Sequence, residues 1–191
     1  MGEENPGPTD LGTAKALANP VRQRILCELR VMGEATSTSL AKRLGITTGG
    51  TSYNLRVLAE HGLVEEVPER ARGRERWWRT ARKDVRFARL REQDPEMRAA
   101  TDELTRLWVA EDLETFAEFW AHRERLGEWA DAVPFSRGTV RLAMEELGAF
   151  FEDYLALLNR YQRPDEDVPS DARTVLTRFI AFPDPREEVE D

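Results

Sequence analysis

Between Ser37 and His61 an amphipathic helical pattern is interrupted once, and that interruption constrains the chain more than any other feature. Leu40, Ala41 and Leu44 share one face of a short helix over about Ser37–Leu44, and Gly45 follows, a residue suited to the left-handed backbone that ends a helix. Ile46 plugs the turn. A second helix over about Thr48–His61 buries Thr51, Leu55 and Leu58 at i, i+4 and i+7, so Ser52, Tyr53 and Arg56 point away from that core. Two short helices joined this tightly form one structural unit.

The flanking segments extend the pattern. In NPVRQRILCELRVMG, Asn19 can cap a helix, Pro20 suits its first position, and Val21, Ile25, Leu26, Leu29 and Met32 recur at three-to-four-residue spacing before Gly33. After Gly62 the period changes: LVEEV and ERWWR read as strands, with Pro68 and Gly73 as turn signals in PERARGR between them. On alternating strand geometry Trp77 and Trp78 face opposite ways, which leaves one of them to anchor the hairpin.

The order helix, helix, turn, helix, hairpin is that of a winged helix-turn-helix. On NPVRQRIL, LAKRLGIT, TSYNLRVLAEHGLVEE and RGRERWWR, about residues 12 to 83 resemble the ArsR-type bacterial regulators. One departure is Asn54, where many relatives carry histidine in a Ser-x-His-Leu pattern. The resemblance implies double-stranded DNA as partner, with the helix from Thr48 in the major groove. Thr47, Thr48, Ser52, Tyr53 and Arg56 would then lie nearest bases and phosphates, and Gly49 and Gly50 would leave backbone N–H groups open to a phosphate. Arg70, Arg72 and Arg74 would reach along the phosphates or into a minor groove, with Arg76 and Arg79 further down the strand. A hairpin of solvated arginines is the blander use of the same residues.

Charge agrees with a divided chain. The net charge is -8, yet residues 1–83 carry 14 Lys+Arg against 10 Asp+Glu, and residues 84–191 carry 14 against 26. A basic front and an acidic back suggest that only the front meets a polyanion. Residues 1–10 and 185–191 read as disordered tails, 11–83 as the DNA-binding domain, and 84–184 as a helical region for dimerisation or effector binding. In that region a helix over about Pro95–Arg125 spreads Leu104, Leu107, Trp108, Leu113, Phe116, Phe119 and Trp120 over more than one narrow stripe, as a dimer element would. Thr139–Leu142 and RTVLTRFIAFP read as strands around a helix carrying Leu147, Phe150, Phe151, Tyr154, Leu158 and Tyr161. The expected class is mainly α, or α+β, with a winged helix-turn-helix followed by helices and a small strand-helix-strand element.

Trp108, Phe116, Trp120, Phe150 and Tyr154 are the candidates for a dimer interface or a small-molecule effector pocket; core packing is the commoner use of such aromatics. No cofactor and no metal site are expected, because Cys27, His61 and His122 sit on separate helices without paired ligand spacing. Cys27, the only cysteine, excludes an intramolecular disulfide and reads as a small core side chain. No apolar run reaches the roughly 20 residues of a membrane span, and a soluble cytoplasmic protein is expected. No paired acid and base, phosphate loop or activated nucleophile suggests an enzyme. The expected function is a homodimeric transcriptional repressor on an inverted repeat; the alternative is a winged-helix module that docks a protein and leaves DNA alone.

Overall fold

The computed structural model describes residues 8–71, 73, 75–81, 83, 85–164 and 167–186. The chain divides into two compact units, Met1–Ala132 and Val133–Asp191. The first holds helices α1 (Leu11–Leu17), α2 (Pro20–Met32), α3 (Ser37–Leu44), α4 (Thr48–Glu60) and α5 (Pro95–His122), with strands β1 (Glu34–Thr36), β2 (Val64–Glu66) and β3 (Trp77–Thr80). Among the described residues the second holds one helix, α6 (Met144–Tyr161).

The punctuation residues act as their chemistry requires. Asn19 Oδ1 accepts from the Arg22 N–H at 3.1 Å at the start of α2, whose Pro20 supplies the fixed φ of a first helical position. Thr36 and Ser39 cap α3 reciprocally, the Ser39 N–H donating to Thr36 Oγ1 at 3.1 Å and the Thr36 N–H to Ser39 Oγ at 3.0 Å. Gly45 ends α3 at φ +67°, a conformation that a Cβ would strain. The expected tail at residues 1–10 begins to be fixed earlier than residue 11. Thr9 is buried and its N–H donates to the Arg86 carbonyl at 2.6 Å, while Asp10 caps α1. Two bonds from Thr13 hold the Asp10 carboxyl down to about 2. Residues 1–7 and 187–191, the remainder of the two expected tails, lie outside the described residues.

The sheet has three strands in the order β1-β3-β2, both pairs antiparallel. The hairpin of β2 and β3 follows the sequence pattern. Strand β1 does not, because Glu34–Thr36 is too short to show alternation and is defined only by pairing with β3, Glu34 with Arg79, Ala35 with Trp78 and Thr36 with Trp77. Trp78 is buried and Trp77 half-buried, so one indole anchors the hairpin and the other lies at its surface. Ile25 and Leu29 of α2, Leu40 of α3, and Leu55 and Leu58 of α4 form the fully buried centre, with Trp78 and Leu104 in the same cluster.

Helix α5 begins on this core and then leaves it. Ala100 and Leu104 are its only buried residues among those described. Beside them the Trp108 indole N–H donates to Gln23 Oε1 at 3.1 Å, and the Glu111 carboxylate stands near enough to the Cys27 thiol to raise its pKa. Both contacts join α5 to α2. The helix ends at His122 rather than near Arg125, and a 3-10 stretch over Arg123–Asp131 is broken at Gly127, whose φ is +62°. In the second unit, the strands expected over Thr139–Leu142 and residues 173–183 are irregular chain. β-branched residues favour a strand only where a neighbour completes the ladder, and here Phe179 instead packs on α6, its ring 4.6 Å from that of Tyr154. The strand-helix-strand element is therefore a helix with an aromatic-bearing irregular segment.

Two outcomes test this packing. Leu104 is fully buried, so Leu104→Ala should lower unfolding stability in urea by about 2–4 kcal/mol. Burial and the Glu111 carboxylate push the Cys27 thiol up to about 11 from its ordinary 9.0. Its reaction with a disulfide reagent at pH 8 should therefore run about a hundredfold slower than that of a free cysteine, and Glu111→Gln should speed it.

Candidate nucleic-acid interface

The face of α4 that points away from the core is built at the helix start. Thr47 Oγ1 accepts from the Gly50 N–H at 3.1 Å, which satisfies one N-terminal donor and fixes the helix entry. A Cβ at Gly49 would meet nothing within 4 Å, so the front of the helix is open backbone. Thr47, Thr48 and Gly49 are exposed, and Gly50 is half-buried. Along the same face Ser52 is half-buried, Arg56 is exposed, and Tyr53 is 59% exposed. Leu55 and Leu58 hold the opposite face at full burial, so this orientation is set by the apolar spacing. Arg56 makes no ion pair among the described residues.

Asn54 takes no part in that face. Its Nδ2 donates to the Gly50 carbonyl at 2.9 Å, and its Oδ1 accepts from Arg22 Nη1 at 3.5 Å. Arg22 also donates to the carbonyls of Ala16 and Lys15, so one guanidinium ties the end of α1 to α4. Partial burial lowers the pKa of Arg22.

Between α4 and the hairpin lies a groove of about 540 Å³. Ser37 and Thr38 at the start of α3 line one side, Ser52 and Arg56 of α4 another, and Arg76 and Trp78 the third. Sequence spacing brings out the α4 residues but not Ser37 and Thr38. The TSTS run that caps α3 is the signal that could have found them, since hydroxyls at a helix start stand beside free N–H groups.

The arginines of the hairpin are less open than their number suggests. Arg70 lies in a 3-10 turn over Pro68–Arg70 at the base of the loop, not at its tip. Pro68 starts that turn. The Arg70 guanidinium is 4.1 Å from the centre of the Trp77 ring and donates to Glu34 Oε2 at 2.9 Å. Arg76 pairs with Glu66 at 2.8 Å and Arg79 with Glu65 at 2.6 Å. Arg72 and Arg74, the sequence neighbours of Gly73, lie outside the described residues; Gly73 itself has φ +64°.

The aromatic candidates fall into two groups. Trp108, Phe116 and Trp120 are on α5, the last two in edge-to-face contact at 5.8 Å between ring centres. Phe150 and Tyr154 are on α6, where both meet Phe179. No cluster of three or more His, Cys, Asp or Glu side chains suited to a metal occurs among the described residues. Nor is any described helix long and apolar enough to cross a membrane.

Comparison with known proteins bears on the first unit. Residues 17–67 match the family model described as a helix-turn-helix domain. Similar solved structures include reduced HlyU from Vibrio cholerae, 26% identical, covering 49% of this chain and 82% of that one at a TM-score of 0.32. A possible transcriptional regulatory protein from Mycobacterium bovis, fragment 1–100, is 27% identical and covers 53% and 88% at 0.34. The homodimeric winged helix-turn-helix DNA-binding domain of Mb0332 from Mycobacterium bovis, a possible ArsR-family regulator, is 26% identical and covers 56% and 77% at 0.32. No curated protein matches the sequence. The matched span holds α3, the Gly45 turn and α4, with β3 beyond it, so residues 17–67 are a helix-turn-helix domain.

Proposed function

We propose that the protein is a sequence-specific, homodimeric transcriptional repressor that binds an inverted repeat in double-stranded DNA. The observation that carries this reading is the open front of α4: Thr47, Thr48, Gly49, Ser52, Tyr53 and Arg56 form a polar face with no described partner covering Arg56. A helix with such a face fits a major groove roughly 12 Å wide. The backbone N–H at Gly49 approaches a phosphate, that of Gly50 being taken by Thr47 Oγ1, and the hydroxyls of Ser37 and Thr38 stand across the groove to meet the same strand. Arg70, Arg72 and Arg74 supply the wing's phosphate contacts.

Self-association is assigned to α5. Past the core its Val109, Leu113, Phe116 and Trp120 are exposed, four large apolar side chains on one helix. Pairing two copies there removes that surface from water at about 25 cal/mol per Å² and sets two reader helices against successive major grooves about 34 Å apart. A small-molecule effector, in this reading, acts on the aromatic cluster of α6 and Phe179.

The reading is tested by selecting duplexes from random-sequence DNA with the purified protein. A recovered inverted repeat whose affinity falls steeply with added salt is the expected result; no enrichment, or binding indifferent to salt, favours a protein-docking module. Arg56→Ala should cost about 1–3 kcal/mol on the selected site and relax preference at one base pair. Arg72→Ala with Arg74→Ala should weaken binding to all duplexes alike. Leu113→Arg should give a folded monomer in sedimentation equilibrium where the unaltered chain is a dimer.

A further inference from the structure

The described wing arginines are all engaged by carboxylates of their own unit. Arg70 is held by Glu34, Arg76 by Glu66, and Arg79 by Glu65, with Glu34 and Glu69 at 4.0 and 3.8 Å from Arg79. Glu34 reaches two of these arginines, Arg70 and Arg79. It stands on β1, directly across the ladder from Arg79, and its side chain is only 26% exposed, less than any of its partners. Arg70 is clamped a second time by the Trp77 ring. By contrast, Arg56 on α4 makes no ion pair among the described residues.

We infer that the described wing arginines are charge-compensated in the free protein, and that Glu34, Glu65 and Glu66 act as a brake on DNA affinity by competing with phosphates for Arg70, Arg79 and Arg76. The inference rests on the DNA-binding reading above. A phosphate that takes one of these guanidinium groups must displace a carboxylate that already neutralises it, and the freed carboxylate then repels the duplex. That cost is the same for every sequence, because phosphates are identical. Base contacts from the α4 face are not subject to it. The carboxylates therefore lower affinity for arbitrary duplexes and for a site that α4 reads by the same factor, and leave the ratio between the two unchanged.

An exposed ion pair contributes little, so each pair acts as a modest brake and no lock. Replacing Glu34 by Gln keeps the side-chain shape and removes the competing charge. For Glu34→Gln and Glu66→Gln the expected result is about two- to fivefold tighter binding to a random duplex. The same gain is expected on the selected site, with a salt slope steeper by up to about 0.9 per carboxylate removed. Glu96→Gln is the control: it removes the same charge from the same unit, but its partner is Lys15, away from the wing. Glu66→Gln and Glu65→Gln on the exposed strand β2 carry the test if Glu34→Gln fails to fold by circular dichroism. Wing variants that match Glu96→Gln in affinity and salt slope, while the unaltered protein binds its selected site, overturn this inference alone. An unaltered protein that binds no duplex overturns it together with the DNA-binding reading.

Discussion

The burial of Trp78 is the interaction on which the rest of the first unit depends. Its strand is the middle one of three, so the same residue faces Ala35 on β1 and Glu66 on β2 while its ring joins the cluster of Ile25, Leu29, Leu40, Leu55 and Leu58. The indole N–H has no hydrogen-bond partner among the described residues, which costs about 1–3 kcal/mol. Burying an aromatic of roughly 150–250 Å² at about 25 cal/mol per Å² contributes more than that. Packing therefore wins over the unsatisfied donor, and the wing is fixed to the helices by an apolar contact and not by its charges.

What the sequence makes legible is what its punctuation enforces locally. The limits of α3 and α4 follow from Gly45, Thr47 and the spacing of Leu40, Leu44, Thr51, Leu55 and Leu58, and the structure has them within a residue. The outward turn of Tyr53 and Arg56 follows from the same spacing. Features set by distant partners are not legible. β1 exists because β3 lies beside it, and the carboxylates engaging Arg70, Arg76 and Arg79 are 36, 10 and 14 residues away along the chain. The reverse error arises at Thr139–Leu142 and residues 173–183, where strand-like composition has no ladder to join. Ser37 and Thr38 became part of the groove only once α3 and the wing were placed in space.

Helix α5 combines two tasks along one length. Its first turns belong to the core through Ala100 and Leu104 and are joined to α2 through Gln23 and Cys27. Its later turns present Leu113, Phe116 and Trp120 to solvent, with the Arg123 guanidinium 4.4 Å from the centre of the Trp120 ring. A helix fixed at one end and apolar at the other carries any surface it meets in a defined direction relative to α2, and hence to the helix-turn-helix that α2 supports.

The shortness of the outer strands has its own consequence for behaviour at high concentration. β1 and β2 have three residues each, and Glu34, Glu65 and Glu66 stand on them. Edges this brief and this charged are poor templates for adding a strand from another molecule, so the sheet resists open-ended polymerisation. Encounters between copies are thereby left to helical surfaces, where association can close on itself and stop.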